Sequence, residues 1–360
     1  MTGFRCLGVQ LASGEPTRLH PGVHLDESVA TLTDGAYRTA NGASIVRAGL
    51  AHLRTVRPAA IVIDSPADWI QLAIAVAARR LGAAVFTRFA STRTDWPRTV
   101  WRERLKGWFY RGWDGYLVTG ELAREYLLSF GVPADRLVLC GNPSDSGAIE
   151  EAARAARAPD GADPARAASF LYVGRFLELK NLVRLVRGYA RYRDQGGAWS
   201  LDLVGFGETE SAIRRAARGV PDVRLHGALP FSEIVDLYLR SGALVLPSLS
   251  ENWGLVVNEA MHAGLPLVLS DRCGCIPELV VTGARGNALL INPESEQEIE
   301  AALRHLSEMT AADREAMGQS SRERVAGQTP ARWAAAVASG IEAALRGRPG
   351  RGPRGPGAER

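Results

Sequence analysis

The hydrophobic positions in the first half of the chain follow two alternating patterns. Short apolar or β-branched runs are typical of strands buried in a parallel sheet. Between them, apolar residues recur every three or four positions, which predicts amphipathic helices. The predicted strands are residues 4–11, 59–64, 84–89, 116–119 and 137–140, and the clearest helices are residues 45–56 and 68–81.

The second half repeats this alternation. Strands that alternate with helices predict a parallel sheet covered on both faces. Two such units in tandem predict an α/β protein of two Rossmann-like domains whose parallel sheets face each other across a cleft, with a ligand beside the strand ends. The predicted strands are residues 169–173, 199–204, 223–225, 243–247, 266–270 and 288–291, and the helices are 182–193, 208–217, 232–241, 254–263 and 296–308.

The boundary between the two predicted domains falls in an Ala/Arg-rich segment. Its first part has a helical pattern, and its second part, which holds prolines and a glycine, is typical of a linker. A last helix is expected to pack back toward the N-terminal domain, and the Gly/Pro/Arg-rich tail after it is typical of disorder. The predicted parts are an N-terminal domain at 1–147, a linker at 148–168, a C-terminal domain at 169–328, a helix at 329–346 and a tail at 347–360.

Composition agrees with two ordinary globular domains. With 46% hydrophobic and 23% charged residues among 360, extensive disorder is not expected. The net charge of +4 suits an anionic small ligand or a membrane surface and does not by itself indicate nucleic-acid binding. Four scattered cysteines are too few for a disulfide scaffold, so we expect a reduced, cytoplasmic chain without a signal peptide. No apolar run reaches the roughly 18 to 20 residues of a membrane-spanning helix.

Two glutamates, Glu251 and Glu259, lie across a predicted strand-to-helix junction. Between them, Gly254 permits close backbone approach, and the free N–H groups of Gly254, Leu255 and Val256 open a helix, where phosphate binds well. Glu259, about one turn inside this helix, is placed to accept hydrogen bonds from ribose hydroxyls, and Glu251 is placed to face a sugar ring. Taken alone, such a pair is more often a set of helix-dipole and surface carboxylates.

Two cations and three glycines follow the strands upstream of these glutamates. Arg175 and Lys180 come together after Gly174 at the end of one predicted strand, and two converging cations suit a diphosphate. Gly205 and Gly207 follow the next strand, at a turn where a nucleotide commonly docks. An isolated Arg/Lys pair is otherwise typical of a solvated turn, and a single Gly-x-Gly is a weak signal.

Taken together, these elements resemble the retaining glycosyltransferases of family 4 (glycosyl transferases group 1), which have the GT-B fold. The resemblance is close over roughly residues 169–308, and its specificity comes from the ordered agreement of many short elements. The elements are, in order, Gly174-Arg175, Lys180-Asn181, Gly205-x-Gly207, His226-Gly227, Pro247-Ser248, the two spaced glutamates followed by Ala260-Met261, Gly264-Leu265-Pro266, and the loop 270–278.

The resemblance implies a role for each matching residue. Arg175 and Lys180 neutralise the leaving diphosphate, and the N–H groups that open the helix bind phosphate. Glu251 contacts and orients the donor sugar, and Glu259 holds the ribose. The anomeric configuration is retained because the acceptor hydroxyl attacks the front face of an oxocarbenium-like centre, and the diphosphate takes the acceptor proton. This chemistry needs charge neutralisation more than a protein nucleophile.

The same resemblance implies the substrates. The donor is a nucleotide-diphosphate sugar, with a UDP-sugar as the family-level expectation. The acceptor is a hydroxyl group of a glycan, a lipid-linked glycan or a small molecule. No Asp-x-Asp, the usual divalent-metal motif of the other main glycosyltransferase fold, occurs in the chain, and the histidines form no metal set. We therefore expect no metal and no other cofactor.

The N-terminal half departs from the family pattern. Members often carry a Gly-Gly loop after the first strand, where this chain has the single Gly14. Many also place a histidine after a mid-domain strand, and none occurs near residues 87–93 here. Asp64, Arg88 and Ser91, each at a predicted strand end, are the candidates for the acceptor-side polar group. Each is equally well explained as an ordinary polar residue at a strand end.

Residues 98–113 form a basic segment in which Trp101, Leu105 and Trp108 recur at helical spacing. A helix of this composition can lie in a membrane interface, which is the hypothesis of a peripheral contact at the inner face of the membrane. Tryptophans that pack in the core beside solvated arginines are the interpretation that we favour.

Two other functions stay open. The weakly matching N-terminal half allows a non-catalytic partner that kept the fold, although a dead site has no reason to keep Arg175, Lys180, Glu251 and Glu259 together. A nucleotide-sugar epimerase can use the same two-domain fold, although such enzymes do not carry this glutamate spacing.

Overall fold

The structure, a computed structural model, describes residues 8–10, 29–31, 41–64, 68–93, 107–144, 146–156, 167–283 and 285–347. Most of the predicted first strand, residues 98–106 of the basic segment, the second part of the predicted linker and almost all of the predicted tail lie outside these residues. Within them, no helix combines the length and the hydropathy needed to cross a membrane.

The N-terminal unit is a four-stranded parallel sheet, in the order β3-β4-β5-β6, with a separate parallel pair formed by β1 and β2. The strands are β1 Gly8–Gln10, β2 Val29–Thr31, β3 Ala60–Ile63, β4 Ala84–Phe89, β5 Gly115–Val118 and β6 Leu137–Leu139. The helices are α1 Gly42–Val56, α2 Trp69–Arg80 and α3 Glu121–Ser129. Asn41 and Asp68 cap the first two helices with their side chains, which satisfies N–H groups that a helix start leaves open.

The C-terminal unit is a six-stranded parallel sheet in the order β12-β11-β10-β7-β8-β9. Its strands are β7 Ser169–Val173, β8 Ser200–Val204, β9 Val223–Gly227, β10 Ala243–Leu246, β11 Leu267–Ser270 and β12 Ala288–Ile291. Its helices are α5 Leu182–Asp194, α6 Glu210–Ala216, α7 Phe231–Arg240, α8 Leu255–His262, α9 Ile276–Leu279, α10 Glu296–Glu308 and α11 Ala311–Val325. Every residue of β7, β8, β10 and β11 is buried, because helices cover both faces of the sheet.

The chain passes between the two units twice. Helix α4, Gly147–Ala156, packs against α7 and α8 of the C-terminal unit, and its Ile149 is fully buried in that core. Helix α12, Pro330–Arg346, returns to the N-terminal sheet, where Val337 and Ile341 pack in one cluster with Phe86. Gly340 of α12 lies so close to β6 that a Cβ atom there would be 2.3 Å from Val138 Cγ2. The last helix therefore ties the end of the C-terminal unit to the other sheet.

Candidate active site between the two sheets

The strand order of the C-terminal sheet reverses between β10 and β7. These two strands are hydrogen-bonded neighbours, although β8 and β9 lie between them in the chain. In a doubly wound parallel sheet, the loops that follow such a pair diverge and leave a crevice at their carboxyl ends. The loop after β7 holds Gly174 to Asn181, and the loop after β10 holds Pro247 to Gly254. The fold thus brings both predicted motifs to one crevice.

Lys180 and Glu251 meet in this crevice. The Lys180 ammonium contacts Glu251 Oε2, and the Ser248 hydroxyl donates to the same oxygen at 3.5 Å. The two charged side chains are only 21% and 13% exposed. Asn181 fixes the position of the lysine: its backbone is left-handed, with φ of 61°, and its amide donates to the carbonyl oxygens of Pro247 at 3.1 Å and Pro293 at 2.6 Å.

A cavity of about 410 Å³ surrounds this ion pair. Its volume is within the range of small-molecule sites, roughly 300–1,000 Å³, and both units of the protein contribute to its wall. The N-terminal unit supplies Arg88, Ala90 and Asn142. The C-terminal unit supplies Leu177, Leu179, Lys180, Ser250, Glu251, Asn252, Trp253, Gly254 and Leu255. The cavity is therefore a two-sided site.

The glycines after β7 and β8 allow two loops to pack backbone against backbone. Gly205 has a φ of +137°, and a Cβ atom there would lie 1.8 Å from the carbonyl oxygen of Gly174. Gly207 has a φ of +156°, and its Cβ would lie 2.4 Å from the carbonyl oxygen of Phe176. No side chain fits at either position, so the Gly-x-Gly turn keeps the loop after β7 in place.

Helix α8 begins beside the cavity. Gly254, with φ of +89°, precedes its first turn, where the N–H groups of Leu255 and Val256 lie at the positive end of the helix dipole. One turn on, the Tyr238 hydroxyl donates to Glu259 Oε2 at 2.8 Å. Burial, together with the Glu259 charge, raises the pKa of Tyr238 well above its ordinary value, so the tyrosine stays a donor.

Arg175 does not join Lys180 in the cavity. Its side chain is exposed, and its guanidinium makes no hydrogen bond or ion pair with any described residue. Its carbonyl oxygen accepts a hydrogen bond of 3.0 Å from the Tyr172 hydroxyl, which fixes the backbone of the turn. The guanidinium is thus exposed and lies outside the cavity wall.

Of the three acceptor-side candidates, only Arg88 lines the cavity. One terminal nitrogen of Arg88 donates to Asn142 Oδ1 at 2.9 Å, and the other lies 3.5 Å from Asp64 Oδ1. Asp64 is 75% exposed and reaches the site only through this contact. Ser91 is half-buried and lies outside the cavity wall.

Residues 154–324, just under half of the chain, match the family described as Glycosyl transferases group 1. The C-terminal unit is a glycosyl transferases group 1 domain. It contains all the predicted catalytic and donor-binding residues.

Three known proteins that are similar to this chain are described below by their identity and coverage. Glycogen synthase of Mycobacterium tuberculosis is 27% identical over 265 residues, which are 70% of this chain and 62% of that protein. A trehalose 6-phosphate synthase of Burkholderia multivorans has a TM-score of 0.67 at 17% identity, over 91% of this chain and 88% of that one. HepE of Anabaena, solved with UDP and glucose, has a TM-score of 0.62 at 14% identity, over 83% of this chain and 82% of that one.

The solved structures confirm the predicted GT-B fold, with two parallel-sheet α/β domains. Because their identities lie below 25%, they show the fold alone. The chain spans 62% of the length of the glycogen synthase that it matches.

The group 1 domain contacts the N-terminal unit through polar groups that the sequence analysis did not single out. Asn258 of α8 donates to the carbonyl oxygen of Asn142 at 3.1 Å, and the Trp253 indole donates to Asn258 Oδ1 at 2.9 Å. These contacts link the wall of the cavity to the start of the helix. The only sequence signal was Asn142 itself, a polar residue in a Gly-Asn-Pro turn after a predicted strand.

A second contact between the units is made by Glu278. Its Oε1 accepts a hydrogen bond of 2.5 Å from the N–H of Glu121, at the start of α3. Its Oε2 is buried without a hydrogen-bond partner among the described residues. Burial raises the pKa of this carboxyl above its ordinary value, and the N–H of Glu121 opposes the shift. The residue lies in the family-like loop, but its partner was not predictable.

Two histidines of the group 1 domain are satisfied within the fold. His226 hydrogen-bonds Asp202 at 2.7 Å, and His262 contacts Glu150 of α4 at 2.7 Å. Neither lines the cavity. Across the part of the chain that the structure describes, no group of three His, Cys, Asp or Glu side chains is placed to hold a metal ion.

Proposed function

We propose that this protein is a retaining glycosyltransferase that moves a sugar from a nucleotide-diphosphate sugar to a hydroxyl acceptor. The observation that carries the proposal is the Lys180–Glu251 pair, which lies in a cavity walled by both sheets and next to the start of α8. A cation, a carboxylate and open backbone N–H groups are the groups that a phosphorylated sugar needs. The group 1 domain match supports the same activity.

The donor is held on the group 1 side. The N–H groups of Leu255 and Val256 and the Lys180 ammonium bind the diphosphate, and the exposed Arg175 side chain reaches it from outside the cavity wall. Glu259, oriented by the Tyr238 hydroxyl, accepts hydrogen bonds from the ribose. Gly174, Gly205 and Gly207 allow the backbones of the loops after β7 and β8 to pack closely against each other, which leaves room for the nucleotide.

The reaction replaces one bond at the anomeric carbon with another on the same face. The bond to the diphosphate oxygen breaks, and the acceptor oxygen bonds to the carbon as its proton passes to the departing diphosphate. Lys180 and Arg175 stabilise the negative charge that develops on the leaving group. Glu251 contacts the sugar and stabilises the positive charge on the ring. Because Lys180 and Glu251 are paired before substrate binds, each is already positioned.

UDP is the nucleotide that we propose, since HepE, a protein of the same fold, was solved with UDP and glucose. We further propose that no divalent metal is required, because two protein cations serve the diphosphate. The acceptor is a glycan, a lipid-linked glycan or a small molecule with a free hydroxyl. It enters from the side of Arg88 and Asn142, which the N-terminal unit supplies.

Thermal-shift measurements with UDP-, GDP- and ADP-sugars, each with and without a chelator, test this function. A donor at a hundred times its dissociation constant stabilises the folded state by about 2.7 kcal/mol. Stabilisation by one nucleotide class that survives the chelator is the expected result. No shift with any donor favours the non-catalytic alternative, and conversion of a donor sugar without an acceptor favours the epimerase.

A further inference from the structure

Arg88 is the charged residue of a strand that is otherwise buried. In β4, every residue from Ala84 to Phe89 is buried except Arg88, which lies near the carboxyl end of the strand. Its side chain is 41% exposed and lines the cavity opposite Lys180 and Glu251. In open parallel sheets, ligands bind in the crevice outside the carboxyl ends of the strands.

The charges in the cavity wall leave Arg88 unneutralised. Three wall residues are charged: Arg88, Lys180 and Glu251. Without substrate, Lys180 and Glu251 form an ion pair with each other. Among the described residues, Arg88 pairs with one carboxylate, that of Asp64, at 3.5 Å and 75% exposed. Ion pairs of this kind are weak and screened by salt.

The hydrogen bonds of Arg88 orient its guanidinium without filling it. Asn142 accepts from one terminal nitrogen at 2.9 Å, and this amide oxygen is neutral. A guanidinium has five N–H donors, and the two contacts use one on each terminal nitrogen. Among the described residues, the other three N–H groups have no acceptor. Asn142 is in turn held by Asn258 of α8, so the arginine is fixed relative to the group 1 domain.

We propose that Arg88 binds an anionic group, a phosphate or a carboxylate, that a substrate carries in addition to the donor diphosphate. This inference rests on the proposed function and specifies the substrate class. The diphosphate has its own cations, Lys180 and Arg175, on the group 1 side. Arg88 comes from the opposite sheet, so it selects an acidic substituent either on the transferred sugar or on the acceptor. A planar guanidinium with free N–H groups suits both anions.

The first experiment uses inorganic phosphate as the probe on the UDP-saturated protein, with chloride adjusted to keep ionic strength constant. We expect a saturable rise in melting temperature in the wild type and its loss in Arg88→Gln. Arg93→Gln removes the same charge from the same unit outside the cavity wall, and it keeps the response. Asp64→Asn removes the competing carboxylate and tightens phosphate binding about twofold. An equal response in Arg88→Gln, or none in the wild type, overturns the proposal.

The second experiment separates the two sources of the anion. One arm compares the affinities of UDP-glucose and UDP-glucuronic acid, and the other compares glucose with glucose 6-phosphate on the UDP-saturated protein. We expect that, in one of these two arms, the acidic ligand binds about tenfold more tightly than its neutral counterpart. Arg88→Gln then abolishes this preference. If neither arm shows a preference that depends on Arg88, the proposal is overturned.

UDP affinity, measured by calorimetry, keeps this inference distinct from the proposed function. It is equal in the wild type and Arg88→Gln, which also shows that the variant is folded. A tenfold loss in Arg88→Gln makes Arg88 a diphosphate ligand and overturns the inference. A wild type that does not bind UDP contradicts the proposed donor, while phosphate binding at Arg88 is then measured without UDP.

Discussion

The Lys180 ammonium contacts the Glu251 carboxylate although the two residues are 71 positions apart in the chain. The contact exists because β7 and β10 are adjacent in the sheet and each passes its loop into the same crevice. Both side chains are partly shielded from water, at 21% and 13% exposure, so their charges are screened less than those of a surface pair. We propose that this pair is the chemical centre of the site.

Loss of either member of the pair slows turnover strongly. Lys180→Met and Glu251→Gln each lower kcat by about 10²–10³-fold, the usual effect of removing one group that stabilises transition-state charge. The double variant is no worse than about tenfold below the poorer single variant, since groups that act as a unit are not additive. Steady-state kinetics with the donor found by thermal shift measures this. Glu233→Gln, an exposed change on α7, is the matched control with wild-type kcat.

Tyr238→Phe weakens nucleotide binding. The substitution removes the hydroxyl that donates to Glu259 at 2.8 Å, so the carboxylate is no longer fixed toward the ribose. We expect a dissociation constant about tenfold higher, equivalent to about 1.4 kcal/mol, by calorimetry with UDP. Tyr189→Phe also removes a hydroxyl with a hydrogen bond, of 2.9 Å to the carbonyl of Trp199, but far from the cavity wall. Equal effects of the two variants would contradict a role for the Tyr238–Glu259 hydrogen bond in nucleotide binding.

Gly205→Ala destabilises the group 1 domain. The new Cβ atom would lie 1.8 Å from the Gly174 carbonyl oxygen, so the loop after β7 must move. We expect the free energy of unfolding to fall by about 3 kcal/mol, from steric overlap and left-handed backbone together. Gly196→Ala also has a positive φ, +88°, but nothing within 4 Å of its Cβ. It should cost about 1 kcal/mol, so similar losses in urea denaturation would contradict the close loop contact.

The strands were predictable because of burial. Those of the group 1 domain lie between two helical layers, so they appear in the sequence as short apolar runs. Helix α11, Ala311–Val325, was not predicted, because only four of its residues are buried: Met317, Gly318, Ser321 and Val325. The sequence signal that could have found it was Thr310, a capping residue whose side chain accepts a hydrogen bond from the N–H of Asp313.

The parts of the site that follow strand ends were predictable from the sequence. The parts that depend on contacts between the N-terminal unit and the group 1 domain were not. Lys180 and Glu251 meet because parallel strands deliver their loops to one edge of the sheet. The Asn258–Asn142 and Glu278–Glu121 contacts join residues 116 and 157 positions apart, across separate sheets. No local pattern encodes the relative placement of the two sheets, which is set by how the whole units pack.

Glu278 makes stability depend on pH. Its folded-state pKa is raised above the ordinary 4.5, mainly by burial, so the folded protein holds the proton more tightly than the unfolded chain. The stabilisation is full below pH 4.5 and is lost as pH rises through the folded-state pKa. Glu278→Gln lacks this loss. Its melting temperature relative to the wild type therefore increases from pH 4 to pH 7, as calorimetry at several pH values can show. Glu233→Gln gives the baseline, and a difference that stays constant with pH would argue against a buried, ionisable Glu278.

Sugar transfer with retention of the anomeric configuration is the activity that we propose for the Lys180–Glu251 cavity. Proton NMR of the anomeric position, with the donor found by thermal shift and a panel of hydroxyl acceptors, tests it most directly. We predict that the wild type consumes the donor and forms a product with the donor's anomeric configuration, and that Lys180→Met forms it about 10²–10³-fold more slowly. Inverted product, equal rates of product formation by the wild type and Lys180→Met, or a donor that stays intact with every acceptor would contradict this activity.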